Sequence, residues 1–204
     1  MKVFVIDGST AYERMFASLG YSIVKSLEVA ELVCFTGGED VTPALYGDVA
    51  HKYTGNNVYR DAKEGVIFEQ CVHKKIPMVG ICRGGQILNV LSGGRMYQHV
   101  EGHGRSHSIT DVLTGETVYV SSTHHQMIMP SDKALLVASS TLGGEREWYD
   151  GAVFKKDISN QDIEVVFYPE TQCLCFQPHP EFTSAEYYGM KTYFKSLLSR
   201  FFGG

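Results

Sequence analysis

A cysteine between two glycines is the first residue whose surroundings suggest chemistry. Cys82 lies in residues 80–84, Gly-Ile-Cys-Arg-Gly, where an apolar stretch gives way to a helical pattern. Glycines two residues before and two residues after a nucleophile let a strand and a helix approach closely, and the sharp turn between them presents the side chain. The backbone N–H of Arg83 would point into the same space, where it could stabilise an oxyanion. Taken alone, the pattern is equally typical of a buried cysteine in a tight turn.

A histidine and a glutamate far downstream could activate this cysteine. His179 and Glu181 lie in residues 177–181, Gln-Pro-His-Pro-Glu, directly after an apolar strand pattern. Side chains two residues apart in an extended chain point the same way, so the carboxylate could fix the tautomer of the imidazole. A thiol nucleophile needs such a base within hydrogen-bond reach, and the alternative is a surface His and Glu on a loop. Both segments together predict a nucleophilic hydrolytic site.

Short apolar strands that alternate with helices must position these residues. The pattern predicts helices at residues 10–19, 61–74, 84–91 and 184–200. It predicts strands at residues 3–6, 32–36, 76–81, 95–100, 118–121, 135–139, 164–168 and 173–177. Such alternation favours an α/β fold with a mainly parallel central sheet and helices on both faces, and the β-rich later part predicts extra antiparallel edge strands. We predict a single domain over residues 1–204.

The motifs show a family resemblance that covers nearly the whole chain. Residues 80–86 followed by residues 177–181 resemble the class I glutamine amidotransferase superfamily. Within it, four further segments are most similar to the γ-glutamyl-γ-aminobutyrate hydrolase branch, which includes the γ-glutamyl peptidases: residues 36–47, 60–64, 88–94 and 123–126. The resemblance implies a flavodoxin-like α/β sandwich formed by one glutamine amidotransferase-like domain.

The resemblance also implies a role for each site residue. Cys82 would attack a γ-glutamyl amide carbonyl, with His179 as its base and Glu181 orienting the base. The backbone of Gly37 and Gly38 would supply an oxyanion donor beside the N–H of Arg83. The implied glutamyl pocket consists of Gln86, Thr123, His124 and His125. No metal or organic cofactor is implied.

Three functions remain open at this point. The first is a γ-glutamyl hydrolase that acts on glutamine or a small γ-glutamyl conjugate. The second is an amidotransferase subunit that delivers ammonia to a synthetase on another chain. The third is a non-catalytic binding protein on the same scaffold, which the intact Cys82, His179 and Glu181 disfavour.

Composition narrows the classes of partner. The chain has 204 residues, 44% hydrophobic and 20% charged, with a net charge of −5. It contains no basic stretch of the kind that binds nucleic acid and no apolar run long enough for a membrane span. Five cysteines, an odd number in apolar surroundings, indicate a reducing compartment. We therefore expect a cytoplasmic protein with a small-molecule substrate.

Several other polar residues could bind a metal or a substrate, but the sequence also allows a purely structural role for each. His99, His103 and His107 recur at intervals of four, which on a helix would suggest a metal-binding face. Glycines interrupt this run, so we expect a loop whose histidines shape the rim of the pocket, and no metal site. Arg60 could steer a substrate carboxylate or lie solvated before a helix. Glu64 is expected to be a helix-start residue.

Overall fold

The computed structural model describes residues 1–203 of the chain. Its helices are α1 (Thr10–Ser18), α2 (Val58–Lys74), α3 (Arg83–Leu91) and α4 (Tyr188–Phe202). Its strands are β1 (Lys2–Val5), β2 (Ser22–Val24), β3 (Leu32–Phe35), β4 (Met78–Ile81), β5 (Arg95–Tyr97), β6 (His99–Val100), β7 (His107–Asp111), β8 (Thr117–Val120), β9 (Met127–Met129), β10 (Leu135–Ser140), β11 (Gly144–Tyr149), β12 (Phe154–Ser159), β13 (Asp162–Tyr168) and β14 (Cys173–Phe176). Within residues 1–203, no helix combines the length and the apolar character that crossing a membrane requires.

A nine-stranded sheet forms the centre of the fold. Its strands run in the order β2-β1-β3-β4-β14-β13-β10-β7-β8. The five strands from β2 to β14 pair in parallel, and the remaining pairs are antiparallel. Two smaller sheets, β12-β11-β6 and β5-β9, flank it. The predicted fold class, a mainly parallel centre with antiparallel edge strands, is confirmed.

Apolar side chains cover both faces of this sheet. Helices α1 and α4 pack on one face through residues such as Phe16 and Phe194, and α2 and α3 pack on the other through Phe68 and Leu88. Successive residues of a strand point to opposite faces. Strand β14 therefore contributes to both hydrophobic clusters, and its cysteines are core residues as expected.

At the turn from β4 into α3, the backbone segments lie too close together to admit a side chain at two glycine positions. A Cβ added at Gly80 would collide with the carbonyl of Gly84, and one added at Gly84 would collide with the carbonyl of Phe35. Both collisions are with backbone atoms, which cannot swing away as a flexible side chain could. Only glycine at both positions allows β3, β4 and α3 to meet at this point.

Several boundaries and edge strands differ from the sequence expectation. Helix α2 begins earlier than predicted because the Asn57 side chain caps it, accepting from the Arg60 N–H at 3.2 Å. The strand predicted over residues 95–100 is divided into β5 and β6 at Gln98, whose buried side chain binds the backbone of Val49 and His51. The pattern also missed β2, β7, β9, β11 and β12.

The loop predicted for the histidine run is wrong at two of its three positions. His99 lies on β6 and His107 on β7, while His103 lies in the turn between these strands. The side chain of His107 is buried on the same face of β7 as Ile109, and the exposed Ser108 lies between them in the sequence. A histidine occupies a buried position of this strand where an apolar residue is expected. The strand therefore lacks the alternation of apolar residues by which strands are predicted from sequence.

Candidate active site

Cys82 occupies a strained position between β4 and α3. Its φ of 53° and ψ of −115° lie in a region that L residues rarely adopt. The chain is held there by the Cys82 N–H, which donates to the carbonyl of Phe176 at 2.8 Å. This geometry is that of a nucleophile elbow, which presents the side chain at the carboxyl edge of the sheet.

His179 reaches the same edge from the neighbouring strand. Strands β4 and β14 pair in parallel, so their carboxyl ends lie side by side. The His179 N–H donates to Oγ of Ser121 at 2.9 Å, and the ring stacks on Phe182 with centroids 4.8 Å apart. Nδ1 of His179 donates to Oε1 of Glu181 at 2.6 Å. The carboxylate therefore fixes the tautomer of the ring, whose other nitrogen, Nε2, is buried without a hydrogen-bond partner within residues 1–203.

Cys82 and His179 converge on Gly37. A Cβ built at Gly37 would lie 3.2 Å from Cε1 of His179 and 3.7 Å from Cβ of Cys82. Burial lowers the pKa of His179, but the hydrogen bonds and charges of Cys82 and Glu181 outweigh burial and raise this pKa to about 10. A cysteine reacts as its thiolate, and an imidazolium beside the thiol is a usual means of stabilising that form.

The Gly37–Gly38 pair does not offer two free donors. The Gly37 N–H donates to the Tyr12 hydroxyl at 3.0 Å. Of the two glycines, only Gly38 therefore has an N–H that could donate to an oxyanion. Arg83 begins α3, where the first backbone N–H groups have no intrahelical acceptor. Burial and the nearby charge of Glu181 raise the pKa of Tyr12, so its hydroxyl stays protonated. Tyr12 lies on α1, and no motif in the sequence predicts this contact.

Replacing Gly37 with alanine is expected to lower kcat/KM at least about tenfold, because misplaced catalytic groups lose near-attack geometry. The new methyl would lie 2.9 Å from the Tyr12 hydroxyl and 3.2 Å from the His179 ring, so these groups must move. Glutamate release and the rate of Cys82 alkylation by iodoacetamide measure the effect. The control is Gly65→Ala on α2, where an added Cβ meets nothing within 4 Å. Equal rates for both variants would show that Gly37 does not set this geometry.

A buried ion-pair network lies beneath the elbow. The guanidinium of Arg83, 1% exposed, binds the carboxylates of Glu64 and Asp61 on α2. Nε of Arg60 binds Oε1 of Glu64 at 2.9 Å, which extends the network toward solvent. Glu64 is fully buried, so its role is neither substrate contact nor an ordinary helix start. The Arg83 side chain therefore points into the protein, toward α2.

Arg60 carries this network to the loop after β3. Its Nη2 donates to the carbonyls of Thr36 at 2.9 Å and Gly37 at 3.0 Å. Its Nη1 donates to the exposed Glu39 at 3.1 Å. Arg60 is thus neither solvated nor free to steer a substrate. It ties the Gly37–Gly38 loop to the helix that also holds the elbow.

A cavity of about 280 Å³ opens beside the Cys82 side chain. Its buried lining includes Gln86 and His124, and all four residues of the predicted glutamyl pocket contribute to it. Nε2 of Gln86 donates to the carbonyl of Gln126 at 3.1 Å, which holds residues 123–126 against α3. Nδ1 of His124 donates to the same carbonyl at 2.9 Å. Both side chains position the cavity wall as well as lining it.

The outer end of the cavity is open and acidic. The exposed residues Tyr53, Thr123 and His125 line it together with Glu39 and Asp40. Nε2 of His125 lies 3.0 Å from Oδ1 of Asp40, and this hydrogen bond raises the pKa of His125. The exposed lining leaves this end of the cavity open to solvent.

Two histidines expected at the rim lie elsewhere. His103 is 1% exposed and His107 is 7% exposed, and both surround Glu164 behind the cavity wall. The expectation that they shape the rim is therefore wrong. The sequence could not place them because Glu164 stands on a different strand, β13.

The comparison with protein-family models gives a match over residues 18–149, to the family described as Peptidase C26. The chain belongs to the Peptidase C26 family. The matched region includes Cys82 and the Gly37–Gly38 loop, whereas His179 and Glu181 lie beyond it. This membership shows the superfamily that the motifs resembled, and the finer hydrolase branch stays a prediction.

Curated relatives of this Peptidase C26 chain extend the likeness. A Mycobacterium tuberculosis protein named "Putative glutamine amidotransferase" is 31% identical over 138 residues, which span 58% of this chain and 45% of that protein. The chain thus spans about half the length of this relative. The carbamoyl phosphate synthase small chain of Helicobacter pylori is 28% identical over 114 residues, covering 55% of this chain and 26% of the relative.

A solved structure supports the fold over almost the whole chain. A glutamine amidotransferase from Thermotoga maritima superimposes with a TM-score of 0.60 at 17% identity. The match covers 98% of this chain and 84% of that structure. At this identity the likeness establishes the fold alone.

Proposed function

We propose that this Peptidase C26 chain is a cysteine-dependent amidase that hydrolyses the γ-glutamyl amide bond of glutamine or a small γ-glutamyl conjugate. One observation carries the proposal. Nδ1 of His179 binds Glu181 at 2.6 Å, while the raised pKa of the ring reflects Cys82 on its other side. A nucleophile, a base and an orienting carboxylate in this order form a catalytic triad.

The acylation step would use the ion pair of Cys82 and His179. The thiolate attacks the γ-carbonyl carbon, and the N–H groups of Gly38 and Arg83 stabilise the oxyanion. One such donor contributes about 2.7–4 kcal/mol to transition-state stabilisation. His179 then gives its proton to the departing nitrogen as the C–N bond breaks. Ammonia or an amine leaves, and a glutamyl thioester remains on Cys82.

The deacylation step would regenerate the enzyme with water as the second substrate. Neutral His179 takes a proton from water as the oxygen attacks the thioester carbonyl, and the C–S bond breaks. Glutamate leaves, and the thiolate of Cys82 again faces an imidazolium. Glu181 keeps the imidazole in the required tautomer through both steps.

The outer end of the cavity favours a conjugate over glutamine alone. The inner wall at Gln86 and Gln126 is buried, which suits the glutamyl group, whereas Thr123 and Tyr53 are exposed. A leaving group larger than ammonia can extend between these exposed residues.

Replacing Glu181 with glutamine is expected to move the basic limb of the pH profile of kcat/KM to lower pH. His179 must be protonated to assist the leaving group, so activity falls as pH rises through its pKa, which is about 10 in the native protein. Removing the carboxylate charge destabilises the imidazolium and lowers this pKa. Initial rates measured across the pH range test the shift. An unchanged basic limb would mean that Glu181 does not act on His179.

An amidotransferase subunit is the second candidate. The likeness to a carbamoyl phosphate synthase small chain favours it, because that relative is by name one chain of a synthase. In this case the same Cys82 chemistry would release ammonia from glutamine, and a separate synthetase chain would consume it. Partner binding would then be required for full activity.

Glutamate release from a substrate panel distinguishes the candidates. The panel contains L-glutamine, γ-glutamyl-γ-aminobutyrate and a γ-glutamyl dipeptide, each assayed with the purified chain alone. We expect rapid turnover of a conjugate and slow turnover of glutamine. Turnover of glutamine only would favour the amidotransferase subunit. No turnover of any substrate, together with no alkylation of Cys82, would favour the non-catalytic binding protein.

A further inference from the structure

Three histidines surround one buried glutamate at the back of the cavity wall. Of these four side chains only His124 also lines the cavity, and no bond-making step of the proposed reaction uses any of them. Glu164 on β13 is fully buried. Nε2 of His107 lies 3.0 Å from its Oε1, and Nδ1 of His103 lies 3.2 Å from the same oxygen. Nε2 of His124 lies 3.6 Å from the other oxygen, Oε2.

Three atoms of this cluster are buried without a hydrogen bond. They are Nδ1 of His103, Nε2 of His124 and Oε2 of Glu164, and none has a hydrogen-bond partner within residues 1–203. Buried polar atoms in folded proteins are nearly always hydrogen-bonded, so three that converge need an explanation. The potential ligand atoms of these three residues all lie within 4.8 Å of one another.

The tautomer of His124 places two hydrogen-bond acceptors opposite each other in this cluster. Its Nδ1 lies 2.9 Å from the carbonyl of Gln126, and a carbonyl can only accept, so Nδ1 carries the proton. In the neutral ring, Nε2 then presents a lone pair to the carboxylate of Glu164. Two acceptors that face each other in a buried site repel unless a cation lies between them. At 3.6 Å the two atoms are too far apart to share a proton in a hydrogen bond.

We propose that His103, His124 and Glu164 bind a divalent transition-metal ion, for which zinc is the best fit. Imidazole nitrogen and carboxylate oxygen are both ordinary zinc ligands. Two ligand atoms on a tetrahedral zinc ion lie about 3.4 Å apart, given metal–ligand bonds of about 2.1 Å. Nδ1 of His103 lies 3.2 Å from Oε1 of Glu164 and Nε2 of His124 lies 3.6 Å from Oε2, so the distances from the two rings to this carboxylate lie on either side of that value.

The surroundings of both histidines fit metal ligation. A histidine that binds a metal through one nitrogen typically donates its other N–H to a carboxylate or a backbone carbonyl. Nε2 of His103 lies 3.3 Å from Oδ2 of Asp162, and Nδ1 of His124 donates to the Gln126 carbonyl. The carboxylates of Asp162 and Glu164 supply two negative charges, which balance a divalent ion.

The bound ion would stabilise the segment that forms the wall of the active-site cavity. The hydroxyl of Ser122 donates to the carbonyl of His103, and Oγ of the adjacent Ser121 accepts from the His179 N–H. His124 itself lines the cavity. The site therefore has a structural role that goes beyond the proposed function and does not depend on it.

The test begins with full-length Cys82→Ala protein, because a free thiol beside His179 is a second place where zinc could bind. The protein is stripped with a chelator, loaded with Zn²⁺ and desalted. Elemental analysis is expected to find one zinc ion per chain. Thermal unfolding is expected to shift upward with zinc, because free metal at 100 times its Kd raises the folding equilibrium constant about 100-fold. Protein that retains no zinc and shows no shift would overturn the proposal.

Variants identify the ligands. Glu164→Gln and His103→Asn are each expected to lose both the bound ion and the zinc-dependent shift, whereas His73→Asn, at an exposed position on α2, keeps both. The zinc-dependent difference within each variant separates metal binding from a general loss of stability. Equal zinc binding by Glu164→Gln and the parent protein would overturn the assignment.

If both ligand variants unfold, the visible absorption spectrum of Co²⁺ bound to the Cys82→Ala protein tests the metal site instead. Co²⁺ bound to the Cys82→Ala protein is expected to give the intense visible bands of tetrahedral nitrogen and oxygen coordination. The weak spectrum of aqueous, octahedral Co²⁺ would count against the site.

Discussion

Replacing Cys82 with alanine is expected to lower kcat/KM for the preferred γ-glutamyl substrate at least about 10⁴-fold. The variant retains the oxyanion donors and the cavity, but His179 has no nucleophile to activate. A water molecule in place of the thiol would have to attack without the favourable thiolate–imidazolium pair. Glutamate release with each substrate of the panel measures the loss, and circular dichroism confirms that the variant is folded.

A second cysteine provides the matched control for this loss. Cys71 on α2 is fully buried, and burial raises the pKa of its thiol to about 11 despite the nearby Lys74. The Cys71→Ala variant is therefore expected to keep the wild-type rate. Iodoacetamide should label Cys82 alone in the folded chain, as peptide mass spectrometry would show. Labelling elsewhere, or an active Cys82→Ala variant, would contradict the assignment of the nucleophile.

The sequence was sufficient to nominate Cys82, His179 and Glu181 for a physical reason. Each lies just after a predicted apolar strand, and parallel strands end at the same edge of a sheet. The neighbours that complete the site carry no comparable signal. Tyr12 occupies an ordinary position on α1, and Ser121 follows an edge strand, β8. Their contacts depend on which elements pack together, which no local pattern specifies.

The same limit explains what was missed in the fold. Central strands such as β4 and β14 are buried on both faces and appear as apolar runs. Strands β11 and β12 pair outside the main sheet and contain mostly polar or charged residues, so they lack a clear apolar alternation. The prediction for the histidine run failed for another reason. The glycines between the histidines indicated a loop at the rim of the pocket, whereas the residue that His103 and His107 share as a partner, Glu164, lies on a distant strand, β13.

Replacing Glu64 with leucine is expected to lower the free energy of unfolding by about 3–5 kcal/mol, the typical cost of removing one partner from a buried ion pair. The leucine removes one of the two carboxylates that neutralise the Arg83 guanidinium, which is 1% exposed and cannot reach water. It also removes the partner of Arg60 Nε on the same helix. Urea denaturation followed by circular dichroism measures the change. An unchanged slope of the unfolding free energy against urea concentration would show that the unfolded state is not altered.

The control is an ion pair at the surface. Lys133 and Glu170 lie 2.9 Å apart with both side chains more than half exposed, so Glu170→Gln should leave the unfolding midpoint unchanged. Because Arg60 also binds the carbonyls of Thr36 and Gly37, Glu64→Leu should lower kcat under conditions where the variant is fully folded. A variant with normal stability and normal kcat would mean that the network neither supports the elbow nor positions the oxyanion loop. Loss of stability with normal kcat would confine its role to the fold.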